Sequence, residues 1–109
     1  MSFRTANDLV IDEVDNSADV RSESIDCTYL DGYSMQVVST GTIAGVLKVE
    51  VSNNNEDWVE LSSPTIAVAN ITNDIVEASD LFHRYIRFFY DSTSGTTNTL
   101  KIWFTAKGK

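Results

Sequence analysis

The stretch "GVLKVEVS", residues 45–52, alternates strictly, with Leu47, Val49 and Val51 pointing one way and Lys48 and Glu50 the other. Side chains that recur every second residue share a face only in an extended chain, so this segment predicts a half-buried β-strand. The same period runs through "YSMQVVST", where Tyr33, Met35 and Val37 fall on one face and Ser34, Gln36 and Val38 on the other. Nowhere do apolar residues recur at i, i+3, i+4 and i+7 over three turns, so helix is not expected as a main element. Thr, Ser, Asn and Val are plentiful, and proline occurs once, at Pro64.

Turn formers divide this pattern. "GTIAG" offers a Gly-bounded turn, so residues 33–51 read as a β-hairpin. "HRYIRFFYD" and "NTLKIWFTA" flank "STSGTTN", where Gly95 is available for a positive φ, and read as a second hairpin. "DLVIDEV" and "DVRSESIDCTYL" suggest one strand each around "DNSA", and "DWVEL", "TIAVAN" and "DIVEA" are short strands between the hairpins. About eight short strands with turns between them predict an all-β fold, an antiparallel β-sandwich or jelly roll. A chain of 109 residues needs only one core. Residues 21–109 are assigned to the sandwich. Residues 1–20, acidic and rich in Asn and Ser, read either as an N-terminal arm that crosses to a neighbour or as an edge strand of the same domain.

Charge narrows the function. Eight Lys and Arg against sixteen Asp and Glu leave a net charge of −8, which repels a phosphate backbone, so no nucleic-acid partner is expected. Cys27 is the single cysteine, so it forms no intramolecular disulfide, and "MSFRTANDLV" lacks the basic and apolar regions of a secretory signal. Synthesis in a reducing cytoplasm is expected. No apolar run approaches the roughly 20 residues of a transmembrane helix, so no membrane partner is expected.

In "VEVSNNNEDWVEL", residues 49–61, Asn53, Asn55 and Asp57 stand at the alternate positions that supply oxygen ligands in an EF-hand loop. The sixth position is Trp58 where glycine makes the sharp turn, and the twelfth is Pro64 where a bidentate Glu belongs. No metal is expected there; "NNNED" reads as a turn, because Asn tolerates the left-handed conformation. Trp58 reads as a lid over the end of the core, or alternatively as a rim platform for sugar. The acids are scattered rather than paired across a cleft, and no phosphate loop, Ser/His/Asp order or Cys/His metal spacing is present. The chain is expected not to be an enzyme and to need no cofactor.

Two strands are apolar on both faces. Ile86, Phe88 and Tyr90 oppose Tyr85, Arg87 and Phe89, and Leu100, Ile102 and Phe104 oppose Lys101, Trp103 and Thr105. Such strands either lie centrally, covered on both faces within one chain, or turn an outer face to another subunit. The second reading makes Tyr85, Arg87, Phe89, Lys101 and Trp103 an oligomer or partner interface.

"YSMQVVSTGTIAGVLKVEVSNNNEDWVEL" followed by "FHRYIRFFYDSTSGTTNTLKIWFTAKG" resembles small β-sandwich proteins encoded among tailed-phage structural genes, over roughly residues 25–108. The resemblance is carried by Gln36, Thr40–Gly41, Ser52–Asn53, Trp58, Arg84–Tyr85, Arg87 and Ser94–Gly95, with Asn54–Asn55 standing where the family usually has Asp-Gly. It implies a non-enzymatic virion component, a capsid decoration or cement protein or a neck or tail accessory. Its partners would be the major capsid protein or a neck or tail protein, and it would work as a homo-oligomer, a trimer being favoured. The Ser-Asn…Trp and Arg-Tyr-x-Arg pieces are also similar to discoidin-like carbohydrate-binding jelly rolls. That alternative implies a glycan-binding module in which Tyr33 and Trp58 contact sugar.

Overall fold

Eight β-strands make up the regular structure of the protein, seen in a computed structural model that describes residues 5–28, 30–79 and 83–108. They are β1 (Thr5–Val14), β2 (Val20–Arg21), β3 (Ile25–Asp26), β4 (Leu30–Ser52), β5 (Val59–Glu60), β6 (Ile66–Ala69), β7 (Thr72–Ser79) and β8 (Tyr85–Gly108). The fold is all-β and antiparallel, as the alternation predicts.

Neither expected hairpin forms. Residues 30–52 are one strand of 23 residues and residues 85–108 another of 24, and they pair with each other from Leu30 opposite Gly108 to Ser52 opposite Tyr85. "GTIAG" and "STSGTTN" lie opposite each other in this long ribbon and mark where it bends, with register shifts at Gly41/Ile43 and Ala44/Gly45. Gly41 takes φ +83°, a conformation open to glycine, and a Cβ there would collide with the Thr97 carbonyl. Gly95 is not among the positive-φ residues; what it supplies is room, since a Cβ would meet the Asn16 carbonyl oxygen. The "DVRSESIDCTYL" strand is likewise reduced to β2 and β3, which pair with successive parts of β8.

The bend folds one hydrogen-bonded network of eight strands into two layers. Sheet I contains β7, residues 30–41 of β4, residues 98–108 of β8, and β1, in that lateral order. Sheet II places β5 and β6 beside residues 43–52 of β4, then residues 85–95 of β8, then β2 and β3. Tyr33 and Phe104 on sheet I meet Phe88 on sheet II, with ring centroids 6.1 and 5.5 Å apart. Met35, Val37, Leu47, Val49, Ile86, Tyr90, Leu100 and Ile102 fill the rest of the space between the layers, all fully buried. Each such side chain contributes about 1.5–3 kcal/mol through burial. The result is a two-layer slab of 45 × 29 × 19 Å.

Two connections cross between the layers at the bend, and buried polar groups hold both. Where the chain passes from β1 to β2, the Asn98 side chain accepts from Asn16 N–H at 3.0 Å and donates to the carbonyls of Asn16 and Thr42 at 2.9 and 3.0 Å. Where it passes from β6 to β7, Ser39 Oγ donates to the Asn70 carbonyl at 2.7 Å and accepts from Thr72 N–H at 3.1 Å. β1 also carries a bulge between Leu9 and Ile11. One extra residue there lets Leu9 face outward and Ile11 face the core, although both numbers are odd.

Candidate interaction surface

The sandwich has two outer faces, and the five residues expected to form one interface are divided between them. Tyr85, Arg87 and Phe89 lie on the outer face of sheet II, whereas Lys101 and Trp103 lie on that of sheet I, because β8 bends between them. The single surface inferred from the sequence is therefore two surfaces on opposite sides of the slab.

Sheet II closes its outer face with its own charges. Glu50 Oε1 receives Arg21 Nε at 3.1 Å and Arg87 Nε at 2.7 Å. The Arg21 guanidinium lies 4.0 Å over the Phe89 ring, which is 8% exposed, and Arg87 lies 4.1 Å over Trp58. Lys48 joins Asp91 at 3.0 Å and Glu60 at 3.6 Å; the Asp91 hydrogen bond is the main cause holding its pKa above the ordinary value. The surplus apolar area of Phe89 is thus covered within the chain.

Sheet I leaves its outer face open. Leu9, Trp103, Gln36 and Ile75 are successive cross-strand neighbours on β1, β8, β4 and β7, forming one row across the sheet. Three of the four are apolar, with 37% of Leu9, 37% of Trp103 and 54% of Ile75 exposed. Gln36 Nε2 donates to Asn73 Oδ1 at 2.9 Å, which fixes the amide between Trp103 and Ile75. Ser34, Gln36, Ile75, Trp103 and Thr105 line a depression of about 260 Å³ on this face. Trp103 was marked by the two-faced apolar pattern of its strand. Leu9 and Ile75 were not, because the β1 bulge is invisible in sequence and Ile75 and Val76 are equally apolar neighbours.

The residues of the sugar-binding alternative are placed otherwise. Tyr33 packs in the core against Phe88 and Phe104. Trp58 is half-buried outside the core cluster, with Arg87 on one face of its indole. It is not the expected core lid: its removal would take a stacking partner from Arg87 rather than open the core. The adjoining loop is closed by its own side chains, since Asn54 Oδ1 accepts from the N–H groups of Glu56 and Asp57 at 3.0 and 2.9 Å while Asn55 takes φ 60°.

Cys27 is buried, and burial, followed by the charge of Asp26, pushes its thiol up to about 11. It is a neutral thiol at neutral pH and a poor nucleophile. Unfolding returns it toward 9.0, so the unfolded chain loses this proton first. The stability due to the buried thiol is therefore complete below pH 9 and declines as pH rises toward 11. Urea unfolding across that range should show this decline, and Cys27→Ala should reduce it.

Comparison with solved structures finds the same fold. YomS, an SPBc2 prophage-derived protein, superposes with a TM-score of 0.71 at 9% identity, over 99% of this chain and 96% of that one. XepA, a PBSX exported protein, also gives 0.71, at 16% identity, over 94% of this chain but 37% of its own length. A protein of the disulfide-linked pili formed by Bacillus endospore appendages gives 0.56 at 13% identity, over 100% and 91%. No curated protein matches in sequence. The chain belongs to the family described as a domain of unknown function (DUF6385), which matches residues 26–108.

Proposed function

We propose that this protein is a non-enzymatic structural component of a bacteriophage virion, a capsid decoration or cement protein or a neck or tail accessory, that docks through the outer face of sheet I. The observation that carries the reading is the open row of Leu9, Trp103, Gln36 and Ile75 on a rigid sheet whose inner side is committed to the core. A fold shared over 96% of the prophage-derived YomS supports it. Such a role needs stiff β-structure, a contact face and a solubilising charge, which the value of −8 supplies. The partner is the major capsid protein or a neck or tail protein. The protein works in repeated copies, trimers being favoured, within the virion and after synthesis in the host cytoplasm. A standard contact buries about 800 Å² per partner, and physiological salt screens the like charges of neighbouring copies beyond roughly 8 Å.

The reading is tested on purified particles produced by the genome that encodes the chain. Mass spectrometry should find the protein in many copies per particle, and electron microscopy with a labelled chain should place it at one repeated position. Abundant protein in the lysate with none on particles would refute the proposal.

A further inference from the structure

The lateral edges of the two sheets are unequally protected. On sheet II, β2, β3 and β5 have two residues each and β6 has four, and short edges present few backbone groups. On sheet I, β1 is interrupted by its bulge and carries Asp8, Asp12 and Glu13. β7 differs: its eight residues, "TNDIVEAS", pair with β4 without a register shift and include no proline, lysine or arginine. Among the described residues no strand pairs with its outer side. Ile75 donates its N–H to Asp74 Oδ1 at 2.9 Å rather than to β4. In an antiparallel ladder alternate residues direct their N–H and C=O to opposite sides, so the outward groups are those of Asn73, Ile75 and Glu77. Two depressions reach β7 from its β4 side, the one at Ile75 and Trp103 and a second of about 490 Å³ at Glu77 and Ala78, which Lys107 of β8 also lines.

We propose that the outer edge of β7 is a strand-addition site for an extended, Lys- or Arg-bearing segment of another protein, with Asp74 as its gate. Strand addition draws affinity from backbone hydrogen bonds and selectivity from the side chains beside them; this edge supplies the first through its outward N–H and C=O groups and the second through the exposed Asp74 and Glu77. Charge selects the occupant. Pairing β7 with a second copy of itself brings two Asp74 and two Glu77 side chains within a few residues of one another, on chains of −8 each. The acids of two copies, near one another across a ladder, oppose it, so a second copy is disfavoured, whereas a strand bearing cations on one face gains at Asp74 or at Glu77, which lie on opposite faces of β7. A cation that takes the Asp74 carboxylate also frees the Ile75 N–H for the new ladder. That the donor is a particle protein rests on the assembly reading above; the edge chemistry does not.

The test is amide hydrogen exchange with three blocked peptides of about eight residues: alternating Val and Lys, alternating Val and Glu, and the Val/Lys sequence N-methylated at alternate residues. The Val/Lys peptide should slow exchange at Asn73, Ile75 and Glu77 by about ten-fold or more, and the other two should not. Asp74→Lys with Glu77→Lys, both at exposed positions, should transfer the preference to the Val/Glu peptide. No slowing with millimolar Val/Lys peptide, an equal effect of the N-methylated peptide, or an unaltered preference in the charge-reversed variant would overturn the proposal. Absence of the chain from particles would remove the assembly reading and leave these results standing.

Discussion

Replacing Asn98 by alanine is expected to cost about 3–5 kcal/mol, because it strips the β1–β2 crossing of the amide that satisfies it, and each buried polar group left unpaired costs about 1–3 kcal/mol. Asn98 is 3% exposed. Its Oδ1 serves the Asn16 N–H, and its Nδ2 serves the carbonyls of Asn16, Thr42 and Thr96. These groups belong to β8, to the bend of β4 and to the segment between the layers, so one side chain ties together three stretches that are far apart in sequence. Asn98→Asp keeps the acceptor but sets a carboxylate against carbonyl oxygens, and should lose a comparable amount. Urea unfolding followed by fluorescence would show a lower midpoint with an unchanged slope. A loss below about 1 kcal/mol would mean that the bend holds without this network.

Phe88→Ala should cost about 3–5 kcal/mol, the range for removing a buried aromatic ring from a packed core. Phe88 has no exposed surface and meets Tyr33 and Phe104 of the opposing sheet, so its loss opens a cavity at the contact between the layers. Phe89, its neighbour in sequence, points the other way and lies beneath Arg21. Phe89→Ala should therefore cost clearly less, about 1–2 kcal/mol, since its cation–π contact is worth about 0.5–1 kcal/mol and no inter-layer cavity forms. Equal losses for the two variants, measured by thermal unfolding, would contradict the assignment of faces.

The period-two pattern was enough to sort most side chains. The alternation puts Tyr33, Met35, Val37, Leu47, Val49, Ile86, Phe88, Leu100, Ile102 and Phe104 each on a shared strand face, and each is in the core. It was not enough to decide connectivity. A five-residue turn over 41–45 preserves the parity of inward residues, and so does an unbroken strand, so the alternation fits a hairpin and a bent ribbon equally. What separates them is the long-range pairing of β4 with β8, together with Asn98 and Ser39 at the crossings, and polar residues in a Thr- and Asn-rich chain carry no mark of burial. The same hidden bend explains why Phe89 and Trp103, alike in sequence as outward aromatics on one strand, end on opposite faces. Trp58 was set against the core by its place after a turn, but its partner is Arg87, whose two roles, pairing with Glu50 and covering Trp58, emerge only from the assembled sheet.

The most direct measurement of the docking claim is the number of copies of wild-type and Trp103→Glu protein on purified particles. Trp103 stands in the middle of the open row, where a buried tryptophan commonly dominates an interface, and its exposed position lets the charge be introduced without disturbing the core. Occupancy by the variant should fall by about ten-fold or more at limiting protein, equivalent to about 1.4 kcal/mol of lost binding, while its melting temperature stays within a few degrees of wild type. Wild-type protein in many copies per particle, with Trp103→Glu incorporated equally, would contradict docking through the outer face of sheet I.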